Sequence, residues 1–378
     1  MIHELRSMND KMKPVLILIV CCIVMCNVFA QTMMADKVAY YPRLVQLQND
    51  ELLASFDNGH TGIFYKSKDN GNTWDSVSSL QEITSPRNCC SELYAVTHNI
   101  KNLKQGILFW ATSVGTDQTP RTDCSIRIYR SNDTARTWNF YSTGVSGKIG
   151  LWEAEFAIDK QQRLVMFFSS EEYKAQGYNQ IIAHRISDDG GKTWSEDVKD
   201  VAVNDNIKRP GMPTVAKLPD GRYIMCYEVC GNNCDTYIRY SKDGDNWGNT
   251  NDLGMRIEST NGNHFSHAPT ITWFDDGTKS GVLMLIGQVL NKNTDNTIAE
   301  KNGYVYMINH NNGKGLWTEV AAPVASFSDG KNPCENYSSQ LLLLNKQKVL
   351  GLALKKVNGA CRLFYNTNNM NDSTVNHH

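Results

Sequence analysis

Ser67-Lys68-Asp69-Asn70-Gly71-Asn72-Thr73-Trp74 is the stretch on which the fold turns, because the chain repeats it. It returns as Ser131-Asn132-Asp133-Thr134-Ala135-Arg136-Thr137-Trp138 and as Ser187-Asp188-Asp189-Gly190-Gly191-Lys192-Thr193-Trp194. A shortened copy runs Ser241-Lys242-Asp243-Gly244-Asp245-Asn246-Trp247, and a worn one ends at Trp317. These tryptophans stand 64, 56, 53 and 70 residues apart. A unit of about 60 residues is too short for a domain and suits one four-stranded blade with its loops. Within each copy, Ser and Asp side chains can bond nearby amides, glycine supplies a positive φ, and the tryptophan packs beneath the turn. The aspartates of these turns are therefore read as architecture.

A second repeat supplies the count. Arg43 to Phe56, Glu92 to Ala111, Glu155 to Phe168, Pro213 to Tyr227, Pro269 to Ile286 and Ser339 to Leu354 each place β-branched or large apolar residues around a polar turn, the hairpin signature. Six hairpins imply six blades. The expectation is an all-β, six-bladed propeller of four-stranded antiparallel blades over residues 31–366, followed by a polar tail at 367–378. A strand around Val38 to Tyr41 is expected to complete the last blade, leaving the ring no open edge. The repeated turns should lie on the rim, away from the central pit.

The balance of 38 basic and 39 acidic residues gives no strong field of either sign, which argues against nucleic acid or an anionic membrane as partner. A neutral ligand such as an oligo- or polysaccharide fits better. Residues 14 to 30, PVLILIVCCIVMCNVFA, are uncharged, follow Lys11 and Lys13 and end in a small residue, the pattern of a cleaved secretory signal over residues 1–30. A retained signal anchor is the alternative. Cleavage implies a secreted, extracellular monomer with no stable membrane association.

Three of the 11 cysteines fall in the leader, leaving Cys89, Cys90, Cys124, Cys226, Cys230, Cys234, Cys334 and Cys361. In an oxidising compartment disulfides are the default; Cys334–Cys361 and Cys90–Cys124 are expected, each joining segments of one blade. The spacing of Cys226, Cys230 and Cys234 matches no standard zinc pattern, so no metal or cofactor is expected. Glycosylation sequons begin at Asn132, Asn336 and Asn371.

The repeated element is similar to the Asp box of the sialidase-like propellers, and Tyr41-Pro42-Arg43-Leu44 resembles their opening arginine motif. Leu151-Trp152-Glu153-Ala154-Glu155-Phe156, and Arg209-Pro210-Gly211-Met212-Pro213 leading to Tyr227-Glu228-Val229-Cys230-Gly231, resemble the catalytic segments of glycoside hydrolase family 93. That resemblance implies a retaining exo-arabinanase or exo-α-L-arabinofuranosidase. A sialidase is the enzyme rival, holding its substrate with three arginines and attacking with a tyrosine activated by a glutamate. Arg43, and Tyr337 with Glu228, fit that pattern. However, no GxxGS-type arginine segment occurs late in the chain, and no Arg-x-x-Asp follows Arg43. A carbohydrate-binding propeller without activity is the third reading, because Asp boxes persist wherever the fold does.

In a propeller the residues before the first strand of a blade and after the second line the pit. That places Arg43, Glu92, Glu153, Glu155, Arg209, His267 and Tyr337 on the entry side and Asp57, Glu171, Glu228 and Gln288 on the return side. Glycoside hydrolysis needs two carboxyls, one protonated and one ionised. Glu228 ends the apolar run Tyr223 to Tyr227, where an ionisable group is costly without a purpose, and is expected to be the nucleophile. Glu153 and Glu155, two apart on a strand, should share one face. Either can be the acid, with Glu155 favoured as nearer the hairpin. Tyr337 is expected beside the nucleophile. Arg43, Asp57, Glu92, Trp152, Glu171, Arg209, His267 and Gln288 are expected to contact substrate, with Glu171 and Glu172 a solvated pair at the rim. Trp152, Trp110 and Phe265 are candidates for a sugar-stacking platform.

Overall fold

The computed structural model describes residues 31–370, apart from Thr84 and Pro86. Six antiparallel sheets follow one another along the chain. Each begins with one of the six expected hairpins, whose strands are the inner pair of a blade. Blade I is built from Tyr40–Gln46, Leu52–Asn58, Thr61–Ser67 and Asp75–Gln81, and blade II from Arg87–Ala95, Leu108–Gly115, Thr122–Ser131 and Asn139–Ile149. Blade III comprises Leu151–Ile158, Leu164–Ser170, Ile181–Ser187 and Val198–Val201. Blade V comprises Thr270–Phe274, Val282–Ile286, Val305–Asn309 and Thr318–Ala321. No helix among the described residues is long and apolar enough to cross a membrane.

Blade IV departs from four strands. Arg209–Lys217, Tyr223–Cys230 and Asp235–Ser241 are joined at the outer edge by two short pieces, Met255–Arg256 and Asn263–Ser266, and Val289–Lys292 pairs with the latter. That last strand comes from an excursion inside blade V, so blade V covers an edge that blade IV would otherwise leave open.

Blade VI takes Gln340–Leu344, Lys348–Val357 and Ala360–Asn369 from the C-terminal part of the chain. Its fourth strand is Thr32–Met33, in register with Tyr365 and Phe364, and not Val38 to Tyr41 as expected. Tyr40 and Tyr41 already belong to blade I, and only the Ala39 amide, bonded to the Cys361 carbonyl at 3.1 Å, reaches back from that segment. The last strand also runs past residue 366 to Asn369, and the Met370 side chain is buried. The leader at 1–30 and the Asn371 sequon lie outside the described residues.

The four clear boxes lead out of the third strand of blades I to IV. In the first, Ser67 Oγ accepts from the Gly71 amide at 2.8 Å and Asp69 accepts from the Thr73 amide and hydroxyl at 2.9 and 2.7 Å. The worn copy is real: Asn309 Oδ1 takes the serine's place, accepting from the Asn311 and Gly313 amides at 2.7 and 2.9 Å. Each box tryptophan then reaches the preceding blade. Trp74 meets Tyr365, Trp138 stacks on Phe64 at 4.6 Å, Trp194 Nε1 donates to Ser142, and Trp247 meets Phe167. The motif recurs in five of the six blades, and its tryptophans stitch neighbouring blades together. Between blades, clusters such as Phe109, Phe156, Met166 and Phe168 are fully buried, each such side chain contributing about 1.5–3 kcal/mol by leaving water.

The opposite end is built differently. The first strands of blades I to IV each carry a β-bulge with a left-handed residue: Tyr41 (φ 48°), Cys90 (φ 62°), Glu153 (φ 48°) and Met212 (φ 54°). Ala268 (φ 45°) and Ser338 (φ 52°) hold the corresponding places just before blades V and VI. None is glycine, so each conformation costs about 1–3 kcal/mol and persists only where the surroundings enforce it.

Candidate active site

These left-handed residues ring the centre. Tyr41, Cys90, Met212 and Ala268 form one small buried cluster with Tyr40, Cys89, Trp152 and Tyr337 packed against it. Above it opens a cavity of ≈ 570 Å³, lined among others by Tyr41, Asp57, His60, Cys89, Cys90, Trp152, Glu153, Arg209 and Tyr337.

The bulge decides the fate of the two candidate acids. Pairing with the second strand shifts between Trp152 and Glu155, which breaks the simple alternation, so Glu153 and Glu155 do not present a common face. Glu153 lines the cavity, and Glu155 is absent from the cavity wall. Glu155 Oε1 accepts from the Val215 amide at 3.2 Å. Burial and the neighbouring Glu92 carboxylate hold its carboxyl well above the usual range.

Arg43, expected to meet substrate, is also buried beneath the cavity. Its Nε donates to Glu92 and its Nη1 to the Ser338 hydroxyl at 2.9 Å. Neither Arg43 nor Glu92 lines the cavity. They form a buried ion pair that ties blades I, II and VI at the axis. Asp57, by contrast, does line the cavity. Its Oδ2 accepts from the Ser91 amide at 3.1 Å while Oδ1 has no partner, and burial pushes the carboxyl up to about 6.

Glu153 is the most unusual group of the site. Its Oε2 is buried without a hydrogen-bond partner. Burial pushes the carboxyl up to about 7, the Glu228 charge adds to that push, and the Ser169 hydroxyl and Arg209 guanidinium oppose it. Glu228, near the end of Tyr223–Cys230, is buried and also raised by burial, but its Oε2 accepts from the Ala268 amide at 2.8 Å and Arg209 favours its ionised form. Burial, Glu228 and Glu153 all raise the Tyr337 hydroxyl, so these three side chains and Arg209 act on one another as a single cluster. The Tyr337 hydroxyl lies 3.4 Å from that of Tyr41.

Glu171 is not a solvated rim residue. It is buried, accepting from Trp152 Nε1 at 3.1 Å, Arg209 Nη2 at 2.9 Å and Lys174 Nζ at 2.5 Å. It thereby fixes two cavity-lining side chains. Trp110 and Phe265 are completely buried and belong to the core, since both sit inside blades where apolar faces meet; only Trp152 of the three aromatic candidates reaches the cavity. Gln288 spends its amide on the Asn332 and Glu335 carbonyls at 2.7 and 3.1 Å.

His267 acts through its backbone. Its amide donates to the Cys234 carbonyl at 2.9 Å, next to the Ala268 amide that holds Glu228. Cys234 is in turn bonded to Cys230, two residues beyond Glu228. A closed chain of contacts therefore runs from this disulfide to the carboxylate. The sulfurs of Cys230 and Cys234 and the His267 ring lie within 4.8 Å of one another, but the two sulfurs are joined and Cys226 is buried in the core.

Cys334–Cys361 forms as expected. Cys90–Cys124 does not, and both thiols are unbonded. The left-handed bulge turns Cys90 into the cavity, away from the third strand of its blade, where Cys124 lies. The Asn336 sequon is unusable in the folded protein, because the side chain is buried and donates to the Gly287 and Gln288 carbonyls. Asn132 is exposed. His60, Cys89 and Cys90 are cavity residues that no sequence motif singles out, and the motif that begins at Tyr41 points to its arginine and not to the tyrosine.

No family model and no curated protein matches this sequence. Solved structures do match. An α-L-arabinanase of Penicillium chrysogenum complexed with arabinobiose superposes with a TM-score of 0.74 at 24% identity, over 90% of this chain and 97% of that one. A family 93 α-L-arabinofuranosidase of Fusarium graminearum, also with arabinobiose, gives 0.74 at 20% identity over 90% and 98%. A sialidase of Streptococcus pneumoniae gives 0.63 at 12% identity over 91% and 71%. The six-bladed fold is thus shared with these proteins over about nine-tenths of this chain.

Proposed function

We propose that this protein is a secreted retaining glycosidase that removes α-L-arabinofuranosyl units from the end of a chain, with Glu228 as nucleophile and Glu153 as acid and base. The observation that carries the reading is Glu153: a carboxyl pushed up to about 7, with one oxygen unpartnered, in the cavity wall beside Asp57 and within reach of the charge of Glu228, which is itself buried and does not line the cavity. A group titrating near neutrality is the proton donor that leaving-group departure requires, and the more readily ionised partner is the nucleophile. Glu155, which interacts with Glu92 and Arg43 and not with Glu228, gives up that role.

In the first step Glu228 attacks the anomeric carbon while Glu153 gives its proton to the departing glycosidic oxygen. In the second, the Glu153 carboxylate takes a proton from water, whose oxygen displaces Glu228 and releases the sugar. Arg209, anchored by Glu171, stands beside both carboxylates, and Trp152 offers an aromatic edge to the sugar. The likeness to two structures that hold arabinobiose supports arabinose as the sugar.

A sialidase mechanism has one observation in its favour, the nearness of Tyr337 to Glu228. Against it, Arg209 is the only arginine among the described residues lining the cavity, too few for a carboxylate-gripping triad. Assay of the protein against aryl α-L-arabinofuranosides, aryl sialosides and linear arabinan tests the reading. Turnover of arabinosides with release of single sugars is expected; turnover of sialosides alone refutes it. Binding of arabinan without any cleavage leaves the pit a lectin-like site.

A further inference from the structure

Adjacent residues of a regular strand point to opposite sides of the sheet. Cys89 and Cys90 do not. The bulge between Cys89 and Glu92, with Cys90 left-handed, brings both side chains to the wall of the cavity, next to Asp57 and Glu153. Both remain free thiols in a chain that closes two disulfides elsewhere. Their thiols interact with each other. A cation stands over them: Arg121 Nη1 lies 3.2 Å from Cys89 Sγ, its Nη2 is held by the Ser113 carbonyl at 3.0 Å, and its guanidinium packs on the Trp152 ring. The neighbouring Cys90 thiol and the Arg121 charge bring the Cys89 thiol below its ordinary range, whereas burial pushes Cys90 up. Thiolates are the ligands that soft ions select.

We propose that Cys89 and Cys90 form a chelating dithiol site in the pit for a thiophilic metal or metalloid ion, whose occupation closes the pit to sugar. Among the described residues the other free cysteines do not compete: Cys124 and Cys226 are buried and neither lines the cavity. Chelation is a ligand exchange without oxidation or reduction. With phenylarsine oxide, both arsenic–oxygen bonds are replaced by bonds to the two sulfurs, and the oxygen leaves as water with the two thiol protons. The closing of the pit rests on the glycosidase reading; the chelation does not.

Phenylarsine oxide, which requires two neighbouring thiols for tight binding, is the probe. Unreduced protein lacking the leader, residues 31–378, should take up one phenylarsenic group per chain by intact mass. The adduct should protect Cys89 and Cys90, and no other cysteine, from iodoacetamide in peptide maps. It should vanish in Cys89→Ala and in Cys90→Ala and survive in Cys124→Ala. The protection map uses the unaltered chain and decides the matter even where a variant does not fold. No adduct, protection of other cysteines, or recovery of Cys89 and Cys90 as a disulfide overturns the proposal. Hydrolysis of aryl arabinosides should be lost with the adduct and return with excess 2,3-dimercaptopropanol. An adduct that leaves hydrolysis intact overturns the closing of the pit. Protein that takes the adduct but never hydrolyses arabinosides refutes the glycosidase reading alone.

Discussion

Asp189 and Asp57 show how differently the two ends of this propeller treat the same side chain. At the box end, Asp189 accepts from the Ser187 hydroxyl, the Lys192 and Thr193 amides and the Thr193 hydroxyl at 2.7–3.0 Å. Against the upward push of desolvation, these bonds bring it down to about 2. At the pit end, Asp57 keeps one oxygen unpartnered and is pushed up to about 6, and Glu153 reaches about 7. The left-handed residues follow a similar division: at the box end many are the glycines of turns, such as Gly71 and Gly191, whereas around the pit they are Tyr41, Cys90, Glu153, Met212, Ala268 and Ser338. The box end satisfies its carboxylates, although the Nε1 atoms of Trp138 and Trp247 are buried without partners and Thr134 and Ala135 are left-handed. The other keeps unsatisfied carboxyls and strain where chemistry is expected.

The sharpest way to break this division is Glu228→Gln. The amide keeps the shape but cannot form the covalent intermediate, so kcat should fall by at least about 10³-fold with Tm within about 2 °C of the parent. Near-normal activity in this variant, together with its loss in Tyr337→Phe, would transfer the chemistry to the tyrosine.

Glu153→Gln ranks next. Loss of general acid catalysis costs about 10²–10⁴-fold, in full on arabinan and much less on an aryl glycoside whose leaving group needs no proton. The pH profile gives the sign. Glu153 must be protonated at the first step, so kcat/KM of the parent should fall as pH rises through about 7. Glu228 must be ionised, so the acid limb should lie above the ordinary carboxylate range. Glu153→Gln should lack the alkaline limb; its persistence would give the acid role to another group.

The box end should answer in the opposite way. Asp189→Ala removes hydrogen bonds without touching the pit and should cost roughly 1–2 kcal/mol of stability, read as a lower Tm, with kcat/KM unchanged. Because the folded protein depresses this group from 3.8 to about 2, its stabilisation is present above about pH 4 and lost as pH falls toward 2. Urea midpoints of parent and variant should therefore converge in acid.

Much of this contrast was legible in the sequence, and unevenly. Boxes and hairpins carry periodic signals, with turn chemistry at fixed offsets and apolar runs at strand spacing, and they yield blade number, hairpin positions and the structural role of the box aspartates. The pit has no such signal. Tyr41, Cys90, Glu153 and Met212 share no chemistry, and nothing in their types marks a bulge. Alternation therefore puts Glu153 and Glu155 on one face, and blade membership pairs Cys90 with Cys124; both readings fail at a bulged left-handed residue. Arg43 reads as a substrate contact and Glu171 as a solvated rim residue for a related reason. Their partners, Glu92 in another blade and Arg209 at residue 209, are distant in sequence and meet only in the closed ring. The extra strands on blade IV likewise depend on an excursion from the next blade.

The most direct test of the account is the stereochemistry of the first sugar released. Proton NMR during the opening minutes of aryl α-L-arabinofuranoside hydrolysis distinguishes the two anomers before they equilibrate. Two carboxyls about 5–5.5 Å apart, acting through a covalent intermediate, release the α-anomer first. Initial appearance of the β-anomer would mean single displacement by water, and would contradict the roles given to Glu228 and Glu153.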